Sequence, residues 1–441
     1  MTTATFADAV NVAPYRPLSS LESRIRGLSD RLVEAQRPLR ILDAVKWGDE
    51  VERAFFAAGA REPPPVTRET YAVRPLPFNP ESKRRELLDL ERDVRRTIGV
   101  DHAAGRLLTR MCAEYRTVVD LIACRGTPAF SDLSRRLYGG TADRFHAGAP
   151  TLADLGREMA AMLDNLAGEA LVSREAPTLD ARQTVALLSE RLSGYFQDAT
   201  AVRVRLSDGI AADAAAGCDY IKIRADARFT PREVRLLEVH EGWVHLGTTL
   251  NGQRQPVCTF LGKGPPSSTT TQEGLAVLTE VLAFASHPAR LRRLTHRIEG
   301  TALAESGADF LEVYRFFLSE GYESHEAYQH TSRIFRGSLP CGGPFTKDLS
   351  YSRGFVLVYN FIRLAVTRGR VRRVPLLFCG KTNLADLRTL AELADEGLIA
   401  PARCVPPPFA DLHALSAWMC YANFLGGLSL AGVEEEYAEL L

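Results

Sequence analysis

His240-Glu241-Gly242-Trp243-Val244-His245 decides how this chain reads. A metal-dependent hydrolase needs two imidazoles on one ion and a carboxylate near enough to deprotonate water without occupying the ion. In the HExxH spacing the two histidines share a helix face because they stand four residues apart. Here the interval is five. At about 100° per residue, five steps leave the imidazoles roughly 140° apart on a regular α-helix. The spacing therefore predicts a π-bulge or widened turn between His240 and His245, with Gly242 easing the distortion. Upstream, Thr230-Pro231-Arg232-Glu233 opens the helix with a proline at its first position and a capping-box glutamate. The flanking Leu236, Leu237, Val239, Val244 and Leu246 make the helix a buried one, on which two histidines also fall by chance. His325-Glu326-Ala327-Tyr328-Gln329-His330 repeats the pattern in a polar segment of the kind that forms a solvated helix face, so at least one of the two matches is fortuitous.

A third ligand discriminates between them. Beyond His245 comes a threonine run, Thr269-Thr270-Thr271, followed by Gln272-Glu273-Gly274-Leu275-Ala276 and an apolar-periodic stretch through Leu278 and Leu282. The threonines are expected to cap a helix with Glu273 in its first turn, and Glu280, seven residues on, falls on nearly the same face. A second helix that delivers a glutamate to a His-Glu-His helix is the arrangement of the gluzincin peptidases. Glu273 is the expected ligand; Glu280 is a partner of a ligand or an ordinary ion pair.

The surrounding chain is compatible with an enzyme body. It has 441 residues, 46% of them hydrophobic, with 54 Lys+Arg balanced by 54 Asp+Glu. That charge balance argues against general nucleic-acid binding, which depends on excess cations. The eight scattered cysteines contain no CxxC pair, which argues against a zinc ribbon or a secreted disulfide framework. With neither a leader-like N-terminus nor a long apolar run, the chain reads as cytoplasmic and without a membrane span. Phe378-Cys379-Gly380-Lys381-Thr382 ends like a P-loop, but Pro375 stands where the first glycine belongs. Residues 1–175 read as a helical N-terminal lobe, including apolar-periodic segments at Leu21–Leu32 and Ile41–Ala58 and a helix after Thr151. From 176 to 441 the chain reads as a catalytic lobe. It opens with a helix from about Leu179 to Tyr195, then two alternating strands, Ala201–Leu206 and Asp219–Arg224, just ahead of the metal helix. The expected class is α+β, predominantly helical, with a zincin-like lobe whose small sheet lies beside the metal helix. Ile221-Lys222-Ile223-Arg224 is either an ordinary sheet strand or an edge that pairs with an extended peptide.

HEGWVH, the pair Asn251-Gly252 and the Gln272–Ala276 string together resemble the QEGLA-motif proteins, often labelled flavohemoglobin expression-modulating. That family is in turn similar to the microtubule-associated tyrosine carboxypeptidases, which are zinc enzymes. The likeness continues through Arg333-Ile334-Phe335-Arg336-Gly337 and Phe345-Thr346-Lys347-Asp348-Leu349-Ser350-Tyr351, and so spans most of the chain from about 200 onward. It implies one zinc ion on His240, His245 and Glu273, with Glu241 as catalytic base, and it favours the first HExxxH over the second. The implied reaction is hydrolysis near the C-terminus of a peptide or protein. For the eukaryotic relatives it is removal of a C-terminal tyrosine from tubulin, whose strongly acidic tail suits this neutral chain poorly. A carboxypeptidase needs a cation for the terminal carboxylate; Arg333, Arg336 and Lys347 are the candidates, each equally able to be a structural charge. Tyr351 is a candidate oxyanion donor or a packing residue. Trp243 reads as a core anchor, and the runs Arg290–Arg297 and Arg368–Arg373 as solvated faces. The competing function is a non-catalytic metal-binding regulatory protein, against which the presence of Glu241 argues, because a closed structural site needs no base.

Overall fold

A computed structural model of the chain describes residues 17–167, 175–196, 202–208 and 213–437. Most of the N-terminal stretch read for a leader, the Ser173-Arg174 pair at the expected lobe junction and Ala201 lie outside the described residues. The protein is predominantly helical with two small sheets. Among the described residues no helix is long and apolar enough to cross a membrane. All eight cysteines are free thiols.

Helices begin where side chains satisfy the first backbone amides. Reciprocal capping boxes join Ser19 to Glu22, Asp180 to Gln183 and, as the sequence predicts, Thr230 to Glu233. Two expectations need correction. The periodic segment 41–58 is two short helices, Ile41–Val45 and Asp49–Ala57, because Lys46 and Gly48 are extended and carry the buried Trp47 away from the helix axis. There its indole donates to the Tyr71 hydroxyl at 2.6 Å, and that hydroxyl donates to the Ser338 carbonyl at 2.7 Å. The helix carrying Glu273 starts at Pro266, ahead of the threonines, so Glu273 lies about two turns in. Its start is set by proline at the first position and by Glu114, which accepts from the Ser267 amide at 2.5 Å.

The strands are β1 (Leu179–Asp180), β2 (Arg203–Ser207), β3 (Ala214–Ala216), β4 (Tyr220–Arg224) and β5 (Arg228–Phe229). β1 and β5 form an antiparallel pair. In the other sheet the order is β2-β4-β3, with β2 parallel and β3 antiparallel to β4. β4 is therefore the central strand, with a neighbour on each side, and Ile221–Arg224 has no edge to offer an incoming peptide. Among the described residues the sheet edge nearest the metal helix belongs to β3.

The largest buried cluster runs from Ile25, Leu28 and Leu32 through Leu107, Leu108 and Met111 to Val244, Leu275, Val358, Ile362, Phe378 and Phe409, and so takes residues from both sides of position 175. At its centre the Pro266–Leu282 helix packs on the Ser350–Thr367 helix. The two backbones touch: a Cβ on Gly274 would lie 2.1 Å from the Gly354 carbonyl carbon, and one on Gly354 would lie 1.9 Å from the Thr270 carbonyl oxygen. No side chain can move aside to relieve such a clash. Gly274→Ala should lower the unfolding free energy by about 2 kcal/mol or more. Gly27→Ala, at an exposed mid-helix position with open space around it, should instead raise it by about 0.5–1 kcal/mol. Urea unfolding of the two variants checks both signs.

Candidate metal centre

Glu238–Leu246 is a π-helix, between the α-helices Pro231–Leu237 and Gly247–Gln253. With hydrogen bonds five residues apart, His240 and His245 occupy successive turns on one side, as the spacing predicts. The glycine has a different task from the one expected. Gly242 keeps a negative φ; a Cβ there would meet Leu192 Cδ2 at 2.4 Å, so the residue admits the neighbouring Ala181–Tyr195 helix. Trp243 is buried in the same cluster, stacked on Tyr195 with ring centroids 5.5 Å apart. The loosened backbone at His245 is held from below. Its carbonyl accepts from Lys381 Nζ at 2.8 Å and from the Thr249 hydroxyl at 2.8 Å, while Lys381 also donates to Thr248 Oγ1 and Gln272 Oε1. Burial pulls the Lys381 pKa down to about 7.

Among the described residues one group of three potential metal ligands converges: His240, His245 and Glu273, with donor atoms within 4.8 Å of one another. The edges of their triangle are 3.2 Å between the two Nε2 atoms and 3.3 Å from each Nε2 to Glu273 Oε2. Three ligands of a tetrahedral ion at about 2.05 Å would stand about 3.3 Å apart. The donor chemistry fits as well. His240 Nδ1 donates to Glu280 Oε1 at 2.6 Å, a bond that fixes the ring with Nε2 directed into the triangle. Glu280 is fixed in turn by Arg290, with Nε at 3.2 Å and Nη2 at 3.1 Å. Burial alone would raise the Glu280 pKa, but the Arg290 charge and the His240 bond lower it to about 2. Burial likewise opposes charge on His240, yet its bonds to Glu273 and Glu280 raise its pKa to about 10. Glu273 is held well below the usual carboxylate range despite its burial, first by the His245 charge.

Glu241 stands outside the triangle, on the side of β3. Its Oε2 accepts from the Ala216 amide at 2.9 Å, so the edge strand orients the carboxylate. The second hexapeptide assembles nothing similar. His325 is 75% exposed beside Glu52, whereas His330 is half-buried with its ring stacked on Phe317.

Arg333, Arg336 and Lys347 gather around Asp348. Arg333 Nε donates to Asp348 Oδ2 at 2.6 Å, Arg336 lies 3.8 Å from Oδ1, and Lys347 Nζ lies 3.8 Å from Glu273 Oε1. The Tyr351 ring stacks on His240 at 6.0 Å, and burial pushes its hydroxyl pKa up. Arg290 and Arg297 are not a solvated face: both reach the Tyr351 ring, with Cζ 5.8 and 5.0 Å from its centroid. Their seven-residue interval puts them on one helix face, a signal available in the sequence. Ala216, Leu192 and Lys381 carried no comparable signal, because each reaches the centre through tertiary packing.

The model of the microtubule-associated tyrosine carboxypeptidase family matches residues 53–427, and the chain belongs to that family. Membership implies a carboxypeptidase-related function. Among curated proteins nothing matches.

Two outcomes follow from the geometry. Glu280→Gln should lower the affinity of the triangle for an added divalent cation by about 10- to 100-fold, read by competition with a chelator, because the His240 ring loses its anionic partner. Asp348 is buried, yet Arg333 and the neighbouring cations hold its pKa below the ordinary value. Its stabilising contribution is complete above the unfolded pKa of about 3.9 and is lost as pH falls from there toward the folded value. Asp348→Asn should therefore cost about 3 kcal/mol at pH 7. Its gap to wild type should narrow below about pH 4 in denaturant titrations.

Proposed function

From its family membership we propose that the chain is a zinc-dependent metallo-carboxypeptidase, hydrolysing the bond near the C-terminus of a peptide or protein. In this reading residues 176–441 form a zincin-like catalytic lobe carried on the N-terminal helices, and Gln272–Ala276 is a QEGLA motif. The observation that carries the proposal is the ligand-spaced triangle of His240, His245 and Glu273 with a carboxylate, Glu241, on the same π-helix and outside it. These three residues would hold one zinc ion, which supplies Lewis acidity, acidifying water and polarising the scissile carbonyl.

Glu241 takes the proton of the attacking water and passes it to the leaving amine. One of its oxygens is fixed by the Ala216 amide, which orients the other for that transfer. Tyr351, beside His240, donates to the oxyanion of the tetrahedral state. Cations of the cluster around Asp348 that are not tied up by it hold the substrate's terminal carboxylate, which fixes how far from the chain end the cut falls. A neutral chain with eight free thiols fits a cytoplasmic setting and offers no excess charge for a strongly acidic tail.

Zinc content and trimming of a peptide library with free C-termini test the proposal. Wild type should bind one zinc and release C-terminal residues. Glu241→Gln should keep the metal and lose about 10²- to 10⁴-fold in turnover. Glu273→Ala should lose the metal. A zinc-loaded wild type that trims nothing would leave the non-catalytic metal-binding role standing. Retention of zinc in Glu273→Ala, with loss only on changing His325 or His330, would overturn the ligand set.

A further inference from the structure

Four cations surround Asp348, and they are not equivalent. Arg333 is engaged, its Nε on Asp348 Oδ2 at 2.6 Å. Arg336 stands 3.8 Å from the other oxygen, with its own Nε buried and without an acceptor. Lys347 lies 3.8 Å from Glu273. Arg297 extends from the Pro288–Glu305 helix over the Tyr351 ring, 5.0 Å from the centroid. Among the described residues no carboxylate lies within ion-pairing distance of it, and its Nε and Nη1 are both buried without an acceptor. Arg290, two turns earlier on the same helix, shows the contrast: it reaches the same ring but is neutralised by Glu280.

Asp348 is bonded by Arg333 and Glu273 faces Lys347, so Arg297 and, in part, Arg336 are left without a full counter-charge. A desolvated guanidinium with stranded donors is strongly unfavourable unless an anion completes it. The Tyr351 ring that Arg297 covers is stacked on His240, so an anion bound there lies beside the candidate metal centre. A planar carboxylate is the partner whose two oxygens match the guanidinium fork.

We propose that Arg297, together with Arg336 and Lys347, binds the substrate's terminal carboxylate, and that Arg333 is a positioning residue that holds Asp348 and through it the cluster. This assignment rests on the carboxypeptidase proposal for its substrate, but it concerns binding and can be tested apart from turnover.

The test uses full-length, zinc-loaded protein carrying Glu241→Gln, and pools of labelled hexapeptides varied at their last two positions, prepared as free acids and as C-terminal amides. Fluorescence anisotropy should show the acids bound at least tenfold more tightly than the amides. Adding Arg297→Gln should remove that preference while leaving amide binding within twofold. Arg297→Lys, which keeps the charge without the fork, should restore part of it and guards against a folding failure. Arg333→Gln should lower the thermal midpoint yet retain the acid preference in the folded fraction. Equal or absent binding of acids and amides by the parent protein overturns the assignment, as does an unchanged preference in Arg297→Gln or its loss in folded Arg333→Gln. If acids are preferred through Arg297 but active protein cleaves none, the carboxypeptidase proposal falls and the anion site stands. If active protein trims peptides and Arg297→Gln does so with unchanged KM and kcat, the reverse holds.

Discussion

Two imidazoles five residues apart meet on one side of a helix only where the backbone exchanges α-helical hydrogen bonds for wider ones, and the rest of the centre is organised around that exchange. The wider turn runs over the whole of Glu238–Leu246. A buried carbonyl in such a turn needs a donor. Lys381 and Thr249 supply it at His245. Leu192 fills the space opposite Gly242, and Glu280 fixes the His240 ring from the next helix. The distortion is therefore braced from three directions, by segments far apart in the chain.

The Gln272–Ala276 string shows how closely chemistry and packing are interleaved. Gln272 accepts from Thr248 and Lys381 beneath the π-helix. Glu273 completes the triangle, Gly274 lets the Ser350–Thr367 helix touch the backbone, and Leu275 and Ala276 enter the core. Because Gly274 brings in the Ser350–Thr367 helix, which carries Tyr351 in its first turn, the residue after the candidate ligand sets how near that ring can come. No position in the string is free to change without moving something at the site.

Much of this was legible from residue spacing. The interval between His240 and His245 called for a π-bulge or widened turn, and the 273–280 interval put both glutamates on nearly one helix face. The rest was illegible for identifiable reasons. Alternation in 221–224 marks a strand but cannot say which strand is central, since that depends on β3, a run of three alanines with no periodic signal. The threonines resembled a cap, but a proline at 266 and a glutamate from a distant helix moved the start. The arginines of 290–297 looked solvated because charge usually is; only the fold shows two of them turned toward one tyrosine ring. The membership found over residues 53–427 agrees with the relation to the microtubule-associated tyrosine carboxypeptidases read from the motifs, which was drawn mainly from the second half of the chain.

The bracing of His245 by Lys381 has a thermodynamic side. Residue 381 belongs to a loop whose neighbours are tied to the Gly247–Gln253 helix by Asn251, which bonds the carbonyls of Phe378 and Cys404 and the amides of Arg403 and Cys404. An ion that binds only the assembled triangle stabilises every segment on which that assembly depends, by linkage. Local opening of the 378–404 region and release of the ion are then one equilibrium viewed from two ends. Amide hydrogen exchange far from the histidines would report on occupancy, and the loop would act as a gauge of whether the centre is filled.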